Sequence, residues 1–216
     1  MTRPAACLFD LDGLLLDTEP LHARAWQQAA EHFGTRLDEL QLLALRGRRR
    51  HDCAEQVLRW VLQDGGPCAG VDALLAVRQP IADHLLASAP AMAGAEALIR
   101  RCDACAVPMA LATSSSRAAV ALKAAPHPWL ELIRVRVHGD DPDLRKGKPA
   151  PDVFLLAAER LGVDPSQCWA FEDSPAGAQA AAAAGTQVHV LLTPATRDAP
   201  FPPGVIRIHS LEEMVF

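Results

Sequence analysis

No apolar run in the 216 residues reaches the ~18–20 that a membrane-spanning helix needs, so a bilayer partner is not expected. Basic charge is not in excess either. Twenty-one Lys and Arg stand against 26 Asp and Glu, a formal net charge of −5, which recommends neither nucleic acid nor an anionic membrane surface. The segment Met1–Ala6 carries one arginine and no long apolar stretch with a cleavage site. A cytoplasmic protein is therefore expected, with its six cysteines as thiols. Cys102-Asp-Ala-Cys105 is a lone CxxC with no second ligand pair, and it reads as the end of a helix rather than a redox or zinc motif. There is no internal repeat. Half the residues are hydrophobic and 22% are charged, which excludes a disordered chain. The length suits one large domain, or a domain with a smaller insert, and a monomer is the expected state.

Short continuous apolar runs recur at Ala5–Phe9, Val107–Ala112, Ile133–Val137, Cys168–Phe171 and Val188–Leu192. Unbroken apolar runs, rather than alternation, suit parallel strands covered on both faces. Helical patterns lie between them at Ala95–Ala104, Ser116–Ala125, Pro151–Leu161 and Pro175–Ala184, with Gly162 and Gly185 as stops. The Ala-rich run 180–184 reads as a helix packed closely on a sheet. Thr193–Pro203, with four prolines, reads as a loop before a last short strand at Val205–Ile208. The alternation predicts an α/β fold, a doubly wound and mainly parallel sheet.

From Asp17 to Pro90 the pattern is helical throughout. Leu21, Ala25, Ala29 and Phe33 form one helical face ended by Gly34. Asp38–Leu45 is a second helix. Asp52 is placed to cap a third, running to Leu62. Val71–Ala87 is a fourth, with Pro80 expected to interrupt it or to start a new helix.

In open α/β sheets the reactive groups gather at the carboxyl ends of the strands. Asp10-Leu11-Asp12-Gly13 follows the first strand and Thr113-Ser114-Ser115-Ser116 the second. Gly147-Lys148-Pro149 precedes the helix at Pro151, and Glu172-Asp173-Ser174 follows the Cys168 strand. Taken singly, each has a plainer use: a turn, a helix cap, a solvated lysine, an acid pair at a helix N-terminus. Together they aim Asp10, Asp12, Glu172 and Asp173 at one edge, where they would repel strongly without a cation. Oxygen ligands with room for water suit Mg²⁺. Lys148, Thr113 and the amides after it supply what a phosphoryl group needs.

The segments FDLDGLLLDTE, ALATSSS, GKPAPDVFLLAAERLG and FEDSPAGAQAAAAAG resemble the four motifs of the haloacid dehalogenase superfamily, in its phosphatase branch with a helical cap. The resemblance implies a Rossmann-like core over 1–16 and 91–216 and an inserted α-helical cap over 17–90. It implies a phosphatase of small phosphomonoesters working through an aspartyl-phosphate. Asp10 would be the nucleophile and Asp12 the acid–base. Asp10, the backbone carbonyl of Asp12 and Asp173 would hold Mg²⁺, with Glu172 supporting its water shell. Thr113 and Lys148 would hold the phosphoryl group, with the amide of Ser114 contributing. The family's dehalogenases lack an aspartate at the position of Asp12, so its presence favours phosphoryl transfer.

Arg46-Gly47-Arg48-Arg49-Arg50-His51 is the densest basic run. It reads either as a solvated corner or as a clamp on a second polar group of the substrate. In the beta-phosphoglucomutases of the family, an arginine three residues after the glycine holds a distal phosphate. Arg50 has that spacing, and His22 aligns with their cap-hinge histidine. Arg78 is a poorer match to their cap lysine, because Pro80 disturbs the segment. Val137–Pro142 leading into Gly147-Lys148-Pro149 looks more like the pseudouridine-5'-phosphatase and glycerol-phosphatase branch. Asp140 and Asp141 are expected to form a turn. Hydrolysis of a small phosphorylated metabolite is thus the expected function. A sugar phosphate mutase is the alternative, and a catalytically idle phosphate-binding protein is the second.

Overall fold

Six parallel strands form one sheet in the order β3-β2-β1-β4-β5-β6. The strands are β1 Ala6–Phe9, β2 Met109–Ala112, β3 Val135–Val137, β4 Cys168–Glu172, β5 Gln187–Leu191 and β6 Ile206–Ile208. The computed structural model describes residues 3–214, so residues 1–2 and 215–216 of the expected core lie outside the described residues. Every residue of β1, β2 and β4 is buried, which is why those segments read as unbroken apolar runs. Alternate residues face opposite sides of the sheet. Cys7 and Phe9 join one core cluster with Leu98, Ile99 and Phe171, while Ala6 and Leu8 join another with Phe154, Ala157 and Ala181. The helices that supply these layers are α5 Ala95–Ala104, α6 Arg117–Ala124, α7 Asp152–Leu161 and α8 Pro175–Ala183. The small side chains of α8 allow close approach to the sheet, and Ala178, Ala180 and Ala181 have no exposed surface.

Four helices come between β1 and α5: α1 Glu19–His32, α2 Glu39–Leu45, α3 Arg50–Gln63 and α4 Val71–Leu86. They bury a separate cluster of their own, built on Trp26, Ala29, Ala30, Val57, Val61 and Leu74. Asp38 starts α2 through a capping box with Gln41. Two expectations need correction here. Asp52 lies in the first turn of α3 rather than at its cap, which is Arg49. Pro80 sits inside a continuous α4, neither ending it nor starting another helix. The missing N–H leaves one backbone bond unmade, and packing of α4 against α1 and α3 outweighs that loss. The chain leaves the sheet and returns to it side by side. Leu16 bridges to both Asp12 and Ala91, and the Asp17 amide donates to the Pro90 carbonyl at 2.8 Å.

Candidate active site

The carboxyl ends of β1 and β4 bring Asp10 and Glu172 together, and both are buried. Lys148, 2% exposed, lies between them, its ammonium 2.6 Å from Asp10 Oδ1 and 2.5 Å from Glu172 Oε1. Asp173 completes the group: one oxygen from each of Asp10, Glu172 and Asp173 lies within 4.8 Å of the others. Both carboxylate oxygens of Asp173 are buried without a hydrogen-bond partner among the described residues. A pair of orphaned buried carboxylate oxygens facing two further carboxylates fits a hard divalent cation such as Mg²⁺. The backbone turns tightly beneath it. Gly13 has φ +82°, and a Cβ there would stand 2.2 Å from Asp173 Oδ2, so only glycine fits.

The electrostatics follow from this crowding. Burial pushes Asp10 up to about 7, against the pull of Lys148 and with the help of Glu172 and Asp12. Burial, then the carboxylates of Glu19, Glu172 and Asp10, holds Asp173 well above the ordinary carboxylate range. Burial alone would lower Lys148, but Asp10 and Glu172 reverse it and keep the ammonium charged. Protonated acids without a cation, and ionised acids with one, is the behaviour of a metal site.

Asp12 is treated differently. Its carboxylate is not in that group of three. It accepts from Thr18 Oγ1 at 2.8 Å and Ser115 Oγ at 2.7 Å, and from the Lys123 ammonium at 2.5 and 2.7 Å. His22 Nε2 lies 3.3 Å away. Arg78 Nη2 is 2.8 Å from His22 Nδ1, and an arginine can only donate, so Nδ1 accepts and the Nε2 proton faces Asp12. Burial would raise Asp12, but Lys123 and His22 outweigh it and hold the carboxyl well below its usual range.

Thr113 is fully buried at the end of β2. Its amide donates to the Val137 carbonyl, and its hydroxyl accepts from the Ser115 amide at 3.1 Å. Ser114 sends its hydroxyl to the Gly47 carbonyl at 2.8 Å, so its side chain meets the helical segment. A cavity of about 160 Å³ lies above Asp10 and Asp12. His22, Ser114 and Arg50 line it, as do Arg46, Arg48, Arg49 and Arg78. Arg46 is spoken for by Glu19 at 3.3 Å. Arg50 is exposed, and among the described residues its one side-chain partner is Gln79 Oε1 at 3.4 Å. Arg78 is 5% exposed, its guanidinium 4.4 Å from the Trp26 ring centre, and burial brings it down to about 10. The disturbance expected from Pro80 is absent, since the helix runs on through it and keeps the Arg78 side chain at the cavity. Asp140 accepts from the Arg117 amide and Asp141 from Arg160; neither belongs to the Asp10–Glu172–Asp173 group, although Asp140 also lines the cavity.

Four residues of this site carry no sequence signal of their own. Thr18 and Glu19 close the first motif segment, where they read as a helix start and not as site residues. Ser115 is one of three consecutive serines. Lys123 is a single lysine in an Ala-rich helix, and only its burial, at 0% exposed, sets it apart. Glu19 is pushed up to about 8 by burial, against Arg46 and with Asp12 and Asp10.

A parallel doubly wound sheet with an acidic, lysine-bridged pocket at its carboxyl edge, roofed by a helical insert, defines a phosphoryl-transfer type of hydrolase. Residues 4–185 match the family model of the haloacid dehalogenase-like hydrolases, and the chain belongs to that family. Its reaction class is that of the phosphoric monoester hydrolases. It is 38% identical over 195 residues to the probable pseudouridine-5'-phosphatase of Drosophila melanogaster, covering 87% of this chain and 81% of the relative. It is 36% identical over 184 residues to the fructose-1-phosphate phosphatase YqaB of Escherichia coli, covering 85% and 94%. Among solved structures it is similar to CbbY from Rhodobacter sphaeroides, a D10N mutant in complex with xylulose-(1,5)bisphosphate. That likeness has TM-score 0.82 and 27% identity, over 98% of this chain and 96% of the other.

Proposed function

We propose that the chain hydrolyses a small, sugar-type phosphomonoester in the cytoplasm, with Mg²⁺ bound by Asp10, Asp173 and the backbone of Asp12 and supported by Glu172. In this reading residues 17–90 are the cap and 1–16 with 91–216 the core. The observation that carries it is the buried group behind Asp10, which lines the cavity: Asp10 meets Lys148 at 2.6 Å in the same group as the unpartnered oxygens of Asp173. When bound, the cation would offset the negative charge of the carboxylates and of the phosphoryl oxygens. Thr113, Lys148 and the Ser114 amide orient the phosphoryl group. A carboxylate oxygen of Asp10 attacks phosphorus, the ester P–O bond breaks, and Asp12, ionised in the free protein and protonated from solvent as the phosphate arrives, passes that proton to the leaving oxygen. Arrival of the phosphoryl dianion beside Asp12 adds like charge and raises its affinity for that proton. In the second half Asp12 takes a proton from water, the water oxygen attacks phosphorus, and the Asp10–phosphorus bond breaks to release phosphate.

The phosphatase names of the relatives support hydrolysis over the mutase reading. The small cavity, about 160 Å³, suits a metabolite rather than a polymer. Arg50 and His22 would contact the non-reacting part of the substrate. The test is phosphate release from para-nitrophenyl phosphate and a panel of phosphorylated sugars, polyols and nucleosides, with Mg²⁺ and with chelator. Release by the wild type that Asp10→Asn abolishes is the expected result. No release from any compound would leave the phosphate-binding alternative standing. Conversion of glucose 1-phosphate to glucose 6-phosphate, dependent on Arg50, would favour the mutase.

A further inference from the structure

Lys123 has no part in the chemistry just described, yet it is among the largest side chains with no exposed surface. It reaches from α6 to Asp12, with Nζ 2.5 and 2.7 Å from the two carboxylate oxygens and 2.8 Å from Ser115 Oγ. All three of its donors are therefore used within one small cluster. Burying an ammonium costs several kcal/mol before any partner is counted, and an apolar residue such as the neighbouring Val120 would pack the same helix without that cost. The lysine grips both oxygens of a single carboxylate, which fixes its plane. Thr18 and Ser115 then hold one oxygen each. The two buried lysines divide the acids between them. Lys148 serves Asp10 and Glu172, and Lys123 serves Asp12 alone.

From this geometry we infer that Lys123 is the positioning residue of Asp12: it holds that carboxylate toward the leaving oxygen and away from the Asp10–Glu172–Asp173 group, where a cation would capture it. The inference rests on the acid–base role of Asp12 proposed above. It gives the enzyme two separate carboxylate sites only two residues apart in the chain. Without Lys123, Asp12 is free to rotate, and the geometry for protonating the leaving group is lost.

The test compares kcat/KM for two kinds of ester, since that constant reports steps up to phosphoenzyme formation. Para-nitrophenolate leaves with little help from an acid, whereas a sugar alkoxide needs its proton. The panel's best alkyl monoester and para-nitrophenyl phosphate are assayed with Mg²⁺ for wild type, Asp12→Asn, Lys123→Met and Lys123→Arg. The alkyl-to-aryl ratio of kcat/KM is expected to fall about tenfold or more in Asp12→Asn and in Lys123→Met, since acid–base help of this kind is worth ~10²–10⁴. In Lys123→Met the alkyl loss falls on kcat rather than KM. Lys123→Arg keeps the charge and restores part of the ratio. Equal loss on both esters in folded Lys123→Met, or no loss, overturns the inference. Should Lys123→Met fail to fold, Lys123→Gln, which keeps the length but removes the charge, replaces it, and a wild-type ratio in that folded variant overturns the inference equally. Wild type inactive on every ester refutes the phosphatase reading itself, a different result from an active wild type with an unmoved ratio.

Discussion

Replacing Lys148 by Met removes the single cation that sits between two buried acids. Its ammonium lies 2.6 Å from Asp10 and 2.5 Å from Glu172, and none of the three is more than 3% exposed. Breaking a buried pair by deleting one partner costs about 3–5 kcal/mol, because the remaining charge is left without compensation. In a domain of this size that is a fall in Tm of roughly 6–20 °C. The loss depends on pH. Asp10 already titrates near 7 with Lys148 present, and higher without it. At low pH Asp10 takes a proton and less charge is stranded; at high pH it is forced to ionise or to stay protonated at a cost. The Tm gap between wild type and Lys148→Met is therefore expected to widen from pH 5.5 to pH 8, measured by thermal denaturation with chelator present. A gap below about 2 °C at pH 8, or one that does not change with pH, would refute the reasoning.

Mg²⁺ is expected to raise Tm more at pH 8 than at pH 5.5. The raised pKa values of Asp10 and Asp173 mean that the folded, metal-free protein holds extra protons, so its stability falls as pH rises from the unfolded carboxyl value through about 7. The cation needs the ionised acids and restores what is lost; a gain that is equal at both pH values, or that survives Asp173→Asn, contradicts the site. His189 is 3% exposed and stacked on Phe171 at 5.0 Å, and burial lowers it to about 4. Its neutral form contributes stability that is complete above pH 6.5 and lost as pH falls toward 4, up to about 3 kcal/mol. His189→Gln should flatten that acid slope in urea titrations, and an unchanged slope would assign it elsewhere. A Cβ at Gly177 would lie 1.9 Å from Glu172 Oε1, so Gly177→Ala is expected to displace Glu172 from Lys148. Tm and activity should both fall, and a fully active, equally stable variant would show that the Glu172–Lys148 contact is dispensable.

The strands were legible because parallel strands buried on both faces must be apolar at each position, as in Cys7-Leu8-Phe9 and Trp169-Ala170-Phe171. Their ends were less so: the run at Val107 enters the sheet only at Met109, since apolar residues also serve the approach to a strand. The helical insert was legible from its period, but Pro80 misled, because local propensity says nothing of the helices packed alongside. The groups at the strand ends announced themselves by position in the α/β order. Lys123 and Glu19 did not, because what sets them apart is burial against residues remote in sequence. Arg78 likewise looks like any helix surface residue until Trp26 and His22 are seen beside it.

The most direct test of the covalent route is the fate of Asp10 during turnover. The enzyme is mixed with Mg²⁺ and its best substrate, quenched in acid within the first turnovers, digested and examined by mass spectrometry. One phosphoryl group on the peptide containing Asp10, absent in Asp10→Asn, is the expected result. An active enzyme whose phosphoryl group is found on another residue, or whose Asp10→Asn variant still turns over, would contradict the account.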